Sequence, residues 1–529
     1  MTSADTERRA RPDVQLAEVV AAIALAADLG TGQPLDHVLR SCVIATRFAD
    51  HLGVTQEERD ATYWTTLFLT AGCTGVSYEM SILFGDDIAF RAGASEMAMA
   101  SPLGQVRFLL KCAGSNRGFM GRTRVRAGFF VGGIAALEES LLAHCAVSAR
   151  MAERLGLGDE VAGALRQTFA QWDGKGLPRG VGGEDIRLAS RIANVANMVE
   201  VVDREQGVDG TRVLLRHVGG SEVDPHLAAE WVAVADAVLE GIDLESSWER
   251  VLNDQPAGRG PLTEDELDDA LELLADYADL KSPWFTGHSR GVAYLAVESG
   301  RHLGLPEPEL TVLRRAALVH DLGRNGIANS IWDKPAELSE TETERVRLHA
   351  YYVDRMLNRA GGLAVLAEVA SAAHERSGGS GYPRAIGGAS VPLLARVLAA
   401  ADTYHALRED RPHRPAWPRA DAEAELRRMA RAGELDGSAV DAVLAAAGHP
   451  VRHKPTAPAG LTPREVEVLV LAARGATTKA VARSLGIAPK TAGNHIERIY
   501  TKIGVSSRAE AAMFAMQHGL VGHETLPQL

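Results

Sequence analysis

Six residues in the second half of the chain carry the chemistry to hold a divalent ion: His288, the adjacent pair His320 and Asp321, then His349, His374 and Asp402. Imidazole nitrogens and carboxylate oxygens are the donors such an ion takes. Adjacent residues on a helix point about 100° apart, so one ion lying over the ridge between His320 and Asp321 can be held by both. Mixed ligation of this kind suits iron, manganese, zinc or nickel better than calcium and does not choose among the four. A metal bound there makes hydroxide available near neutral pH, and its attack on phosphorus is phosphoester hydrolysis.

The elements that must position these residues are helices. Apolar residues recur three and four apart, as in Val292, Leu295, Ala296 and Leu303, whereas the alternation of strands is scarce. The pattern also occurs twice. At an offset of 251 residues, "HVLRSCVIATRFADHLGV" from His37 lies over "HSRGVAYLAVESGRHLGL" from His288, and Leu69-Thr70 falls where His320-Asp321 stands. At an offset of 205, His144 meets His349, Gly176-Leu177-Pro178 meets Gly381-Tyr382-Pro383, and Asn197 meets Asp402. The difference, 251 − 205 = 46 residues, is extra length in the first copy around 76–143, including "YEMSILFGDD". Two homologous helical domains are expected, 13–250 and 262–448, joined by "NDQPAGRGPL" at 253–262. The first copy has lost the His-Asp pair and is expected to be a degenerate repeat without metal, serving packing, dimerisation or ligand sensing.

In order, "HSRGV", "LVHDLGRNGI", "HAYYVDRML", "HERSGGSGYP" and "AAADTYHAL" resemble the motifs of the HD-GYP branch of the HD phosphohydrolase superfamily. The resemblance spans about 266–448. It implies an all-helical domain with a metal centre, often hydrolysing cyclic di-GMP. It places metal ligation on His288, His320, Asp321, His349, His374 and Asp402, and Gly381, Tyr382 and Pro383 in a loop beside the site. Three positions depart from the family pattern: Ala373 stands where a second histidine usually precedes the His-Glu pair, Arg324 where a lysine approaches the scissile phosphate, and Gly378 where an aspartate is expected. Arg324 keeps the charge as a planar fork, so Asp321 and Arg324 are the expected catalytic pair. The surviving set is expected to hold one metal.

Beyond "GHPVRHKPTAPAG" (448–460), with three prolines, the pattern changes. Thr462 and Glu465 form a T-x-x-E capping box with Pro463 at the first helical position. A second helix is expected from Thr478 to Leu485, ending at Gly486. In a third, Ala492, Ile496, Ile499 and Ile503 line one side, leaving Thr491, Asn494, His495, Arg498 and Lys502 on the others. Residues 461–520 hold eight Lys/Arg against four Asp/Glu, a local charge suited to phosphate contact. This module, 461–525, resembles the LuxR-type helix-turn-helix. The resemblance implies transcriptional control through a dimer. It sets Lys490, Thr491, Asn494, His495, Arg498 and Lys502 against double-stranded DNA, with Thr478 and Lys479 touching its backbone.

The remaining composition bounds the class. With 529 residues, several domains are expected. A hydrophobic fraction of 46% and a charged fraction of 24% are ordinary for a folded soluble chain. The longest early apolar run, "VVAAIALAA" at 19–27, is about half of the ~20 residues a membrane span needs, so no membrane association is expected. Cys42, Cys73, Cys112 and Cys145 form no C-x-x-C pair, which fits a reducing cytoplasm. A net charge of −13 argues against nucleic-acid binding over the whole surface and leaves room for one basic module. The combined expectation is an all-α regulator, two HD domains and a helix-turn-helix, that senses a nucleotide or hydrolyses it and acts as a homodimer.

Overall fold

The apolar run at 19–27 lies inside α1 (Leu16–Thr31), a helix buried on every side except at Leu29. A helix that is apolar all round belongs in a core, and α1 packs against both halves of the chain. The computed structural model describes residues 14–95, 108–109, 111–114, 133–450, 458–518 and 520. It is all-α: the described residues form helices and 3-10 turns, with two isolated bridges and no strand.

The first half continues with α2 (His37–Leu52), α3 (Gln56–Phe68), a 3-10 turn (Ala71–Val76), α4 (Ser77–Phe84), α5 (Asp87–Ser95), α6 (Ile134–Arg154), α7 (Gly158–Leu165), α8 (Leu188–Val218), α9 (Pro225–Leu239) and α10 (Ser247–Asn253). The second half runs α11 (Glu264–Asp279), α12 (His288–His302), α13 (Glu307–Val319), a 3-10 turn (Leu322–Gly326), α14 (Asn329–Trp332), α15 (Glu340–Leu357), α16 (Ala364–Ser371), α17 (Leu393–Leu407), α18 (Arg419–Arg431) and α19 (Gly437–Ala446). Gln56–Phe84 is long and apolar enough for a membrane span by composition. Here it is α3, a turn and α4, with Tyr63, Leu67, Phe68 and Phe84 buried.

Element starts follow the two sequence offsets. The pairs α2/α12 and α3/α13 and the two 3-10 turns start 251 residues apart, and α8/α17 start 205 apart. The same devices recur at the same places. Asp28, on α1, accepts from the backbone N–H groups of Asp36 (3.1 Å) and Val38 (3.2 Å), and Asp279, on α11, accepts from Ser289 N (3.0 Å) and Ser289 Oγ (2.7 Å). Each buried carboxylate thereby satisfies orphan donors at the start of a helix whose first residue is a histidine. A Cβ on Gly72 would come 2.1 Å from the carbonyl oxygen of His144, and one on Gly323 would come 2.0 Å from that of His349. Only glycine lets the turn nest against the histidine-bearing helix in each half. Both Gly-rich loops contain a cis X-Pro bond, Leu177-Pro178 and Tyr382-Pro383.

The two expected homologous domains pack against each other. The chain forms one compact unit as far as His449, with a hydrophobic core that runs through both halves, and a second unit beyond it. The segment 253–262 is no free spacer, since Leu262 N donates to Val14 O (2.9 Å) and Arg259 Nη1 to Leu155 O (3.0 Å). Lys281 and Asp87, both fully buried, pair across the halves at 2.9 Å. Removing one partner of such a pair costs about 3–5 kcal/mol.

The second unit, described over 458–518 and at 520, comprises α20 (Pro463–Ala473), α21 (Thr478–Leu485), α22 (Pro489–Ile503) and α23 (Arg508–Gln517). Most of the expected linker at 449–460, residues 451–457, lies outside the described residues. The capping box forms: Glu465 N donates to Thr462 Oγ1 (3.2 Å) and Thr462 N to the Glu465 carboxylate (2.7 Å). α21 stops at Gly486, whose φ of 66° closes the helix in the left-handed region. Val468, Leu469, Val481, Ala482, Ala492, Ile499, Ala511 and Ala515 form the core.

Gly493 is a costly residue inside α22, yet a Cβ there would meet only Thr478 Cγ2, at an ordinary 4.0 Å. Gly493→Ala is therefore expected to stabilise this unit by about 0.5–1 kcal/mol, read as a raised unfolding midpoint in calorimetry. A lowered midpoint would mean that the α21–α22 crossing has no room for a methyl group.

Candidate metal centre and nucleic-acid interface

Five segments of the second half deliver the six ligand candidates to one buried place. His288 opens α12, and His320 ends α13 with Asp321 directly after it. His349 lies on α15, His374 follows α16, and Asp402 lies on α17. All six side chains are buried, His288, His320 and Asp321 completely.

The donor atoms fall into two groups that share Asp321. In one, His288 Nε2 is 3.4 Å from Asp321 Oδ2 and 3.2 Å from Asp402 Oδ1, while His320 Nε2 is 3.0 Å from Asp321 Oδ2. In the other, His349 Nε2 and His374 Nε2 are 2.7 Å apart, at 3.7 and 4.0 Å from Asp321 Oδ1. The one-ion expectation thus meets a geometry with two ligand clusters, one on each oxygen of a single carboxylate. Among the described residues, every grouping of three or more candidate ligands lies in this half.

The rings are held with their Nε2 atoms inward. His320 Nδ1 donates to Ala317 O (2.6 Å) and His349 Nδ1 to Val346 O (2.5 Å), in each case three residues back on the same helix. His288 Nδ1 donates to the Glu409 carboxylate (2.8 Å), whose other oxygen faces His405 Nδ1 (3.1 Å). Such outer hydrogen bonds fix the ring orientation, so that Nε2 is the nitrogen turned inward and the one a cation would meet in exchange for its proton. His320 Nε2 and both oxygens of Asp321 are buried without a partner in hydrogen-bond geometry, their close contacts being the ion pairs among themselves and with Arg324. Convergent, unpartnered lone pairs of this kind fit a divalent cation.

Electrostatics point the same way. Burial would raise the Asp321 and Asp402 carboxyls, but Arg324 and His320 beside Asp321, and His288 and His320 beside Asp402, hold both well below the carboxylate range. Burial and Arg324 oppose charge on His288, yet the carboxylates of Asp321, Asp402 and Glu409 around it bring it up to about 10. His320, against the same burial, is brought to about 9 by Asp321 and Asp402. Burial keeps His349 and His374 below the ordinary imidazole value. The centre is one that attracts positive charge.

Arg324 is buried at its edge. Its Nη2 lies 2.5 Å from Asp321 Oδ2 and 3.3 Å from His288 Nε2, and its guanidinium sits over the Phe285 ring at 4.2 Å. Its Nε and Nη1 have no partner. Tyr382 of the Gly-rich loop stacks on His374, with centroids 5.0 Å apart and planes at 12°, so the loop walls the second cluster. Gly381 admits this approach, because a Cβ there would come 2.5 Å from His374 O. The family departures are built into the packing: Ala373 is fully buried, and a Cβ on Gly378 would lie 3.2 Å from the carbonyl oxygen of Gly433.

In the first half the equivalent place holds different chemistry. His37 bonds to Glu200 and, at 3.0 Å, to Asn197, and His144 Nε2 donates to the Leu69 carbonyl (2.9 Å). A cavity of about 530 Å³ opens beside them, lined by Leu69, Thr70, His144, Phe169 and Asn197 among others.

On the second unit, Lys490, Thr491, Asn494 and Arg498 are exposed on α22 with His495 half-buried beside them, and Lys479 is exposed and Thr478 half-buried at the start of α21. Lys502 differs from its expected free role: its Nζ bonds to Glu465 (2.7 Å) and to Gly460 O (3.3 Å). Lys502 and Thr462 hold the Glu465 carboxyl down to about 2. Lys502 is exposed while Glu465 is buried, so a phosphate that took Lys502 would leave the Glu465 carboxylate on its Thr462 cap alone.

The fold and site define an HD-domain protein. Residues 272–439 match the HD domain family, and residues 459–515 match the bacterial regulatory proteins of the luxR family. The chain is 30% identical over 407 residues to the 3'3'-cGAMP-specific phosphodiesterase 3 of Vibrio cholerae, covering 76% of this chain and 88% of that relative. It is 36% identical over 177 residues to the cyclic di-GMP phosphodiesterase response regulator RpfG of Xanthomonas campestris pv. campestris, covering 33% of this chain and 46% of the relative. A crystal structure of a cyclic GMP-AMP-specific phosphodiesterase of V. cholerae (V-cGAP3) aligns with a TM-score of 0.57 at 27% identity, over 82% of this chain and 97% of that one. The chain belongs to the HD-GYP family of HD-domain proteins and carries a luxR-family module C-terminal to the HD domain.

Sequence reasoning missed Glu409, His405, Phe285 and Trp332. "AAADTYHAL" contains His405, and Glu409 follows it by four residues, one helical turn, which is the signal that could have found the pair. Glu409→Ala is expected to weaken Mn²⁺ binding about 10–100-fold in isothermal titration, with helicity unchanged. Unchanged affinity would show that Glu409 only packs beside His288.

Proposed function

We propose that this chain is a metal-dependent cyclic dinucleotide phosphodiesterase joined to a DNA-binding module, so that nucleotide turnover or occupancy bears on transcription. The observation that carries the reading is the buried ligand set around Asp321, with unpartnered donors on His320 and Asp321. The 3'3'-cGAMP and cyclic di-GMP specificities of the relatives support the substrate class. His288, His320, Asp321 and Asp402 would hold one divalent ion, and Asp321, His349 and His374 a second. When bound, such an ion supplies Lewis acidity toward water and a phosphodiester oxygen. The unpartnered Nε and Nη1 of Arg324 would serve as donors to a phosphate while Asp321 holds its Nη2, and Tyr382 walls the site with its aromatic face.

The repeated offsets, the paired capping aspartates and the paired glycines support reading the first half as a second HD-type repeat that has lost its ligands. The exposed cationic and polar face of α22 supports DNA contact, with Lys490 and Arg498 as phosphate or base partners. A homodimer on DNA in the cytoplasm completes the reading. A second reading, sensing without turnover, draws on the ion pair between Arg324 and Asp321 and on the apolar Ala373.

Two experiments test these proposals. With Mn²⁺ or Fe²⁺ present, the purified chain is expected to hydrolyse 3'3'-cGAMP or cyclic di-GMP, and Asp321→Ala to lose at least 100-fold of that rate. Binding without Asp321-dependent turnover would favour the sensor. For DNA, Lys490→Ala combined with Arg498→Ala is expected to flatten the salt dependence of binding by roughly two units of slope, about 0.9 per lost phosphate contact. An unchanged slope would remove α22 from the interface.

A further inference from the structure

We infer that Asp87, contributed by the first half, is a positioning residue for Arg324 in the second half's site. The inference rests on the proposed role of Arg324 as the phosphate-facing cation. Asp87 belongs to the insertion that distinguishes the first copy and is fully buried. Its Oδ2 accepts from Lys281 Nζ (2.9 Å) and Arg91 Nη1 (3.1 Å), and its Oδ1 accepts from the backbone N–H of Asn329 (2.8 Å).

Lys281 and Asn329 lie on the two segments of the second half that wall Arg324. Asn329 Nδ2 donates to Lys281 O (2.7 Å) and to Asp333 Oδ2 (2.9 Å), and Ser282 Oγ donates to Asp333 Oδ1 (2.5 Å). Residues 281–285 and 329–333 are thereby locked together. What they present is an aromatic corner: Phe285 and Trp332 meet edge-on, with centroids 5.3 Å apart and planes at 87°. The Arg324 guanidinium lies 4.2 Å from the Phe285 ring and 5.7 Å from that of Trp332, and Trp332 Nε1 donates to Arg324 O (3.2 Å). Since Nε and Nη1 of Arg324 have no acceptor, this corner and Asp321 set where the guanidinium stands. The anchor of the corner is a carboxylate from the other half.

The same anchor reaches into the first half. Arg91, which pairs with Asp87, also donates to Gly30 O (3.1 Å) and Cys73 O (2.7 Å), the latter in the turn Ala71–Val76 that corresponds to the second half's His-Asp turn. Asp87 therefore links the first half's turn, through Arg91, to the start of α14 just after the second half's turn, through Asn329. The ligand set is complete in residues 288–402, but the placement of its arginine depends on the first copy.

The test uses the full-length chain. Asp87→Asn alone takes the carboxylate from Lys281 and Arg91, so it is compared with Asp87→Asn/Lys281→Met, which removes the Asp87–Lys281 pair at comparable volume and leaves Arg91 its bonds to Gly30 O and Cys73 O. In the folded double variant, hydrogen exchange over residues 322–333 is expected to rise at least tenfold while α12 and α17 stay protected. The KM for 3'3'-cGAMP is expected to rise about tenfold or more with Mn²⁺ affinity kept within threefold, and adding Arg324→Ala is expected to bring no further loss. Unchanged exchange over 322–333, or an effect that adds fully to that of Arg324→Ala, overturns the inference. If the native chain turns over no cyclic dinucleotide, the proposed function fails while the exchange measurement still decides this point.

Discussion

A single buried carboxylate, that of Asp321, is the constraint on which the second half is built. An ionised group without water is tolerated only where cations or convergent dipoles surround it, and the fold brings a guanidinium and four imidazoles to this one. Its two oxygens face different ligand clusters, and so the turn after α13 must stand within a few ångströms of the starts or flanks of α12, α15, α16 and α17. The capping carboxylate of Asp279, the side-chain-free Gly323 and the backbone carbonyls that orient His320 and His349 are the local means by which that convergence is held.

The first half keeps the framework with different side chains at the place of the ligands. Asp28, Gly72 and the cis Leu177-Pro178 loop repeat the second half's devices at matching offsets, while Leu69, Thr70 and Asn197 occupy the places of ligands. The framework packs into the common core: α1 contacts both halves, and Asp87 reaches across to the segments beside Arg324. Asp87 in this way ties the first half to the segments that flank Arg324.

Much of this was legible in the sequence. The six ligand candidates stood out because their order and spacing match a known motif series, and the helix-turn-helix because capping box, glycine stop and apolar periodicity agree at every step. What stayed hidden depends on three dimensions. The division of ligands between the two oxygens of Asp321 is a matter of side-chain direction, which spacing along a helix does not encode. Glu409 acts through His288, 121 positions away, and carries no motif of its own. The single core through both halves depends on α1, whose run at 19–27 is apolar and whose Glu18 and Asp28 are buried with it. Lys502 reads as free on a helical wheel, and only the fold brings Glu465, 37 positions away, to its ammonium.

The central claim is that Asp321 organises divalent metal in the second half and that the first half holds none. The most direct measurement is anomalous diffraction at the manganese edge from crystals of the full chain grown with Mn²⁺, supported by metal analysis of the protein in solution. The account predicts anomalous density beside both oxygens of Asp321, none near Leu69 and Asn197, and loss of the density in Asp321→Ala. Density in the first half, or none at Asp321 under saturating Mn²⁺, would contradict it.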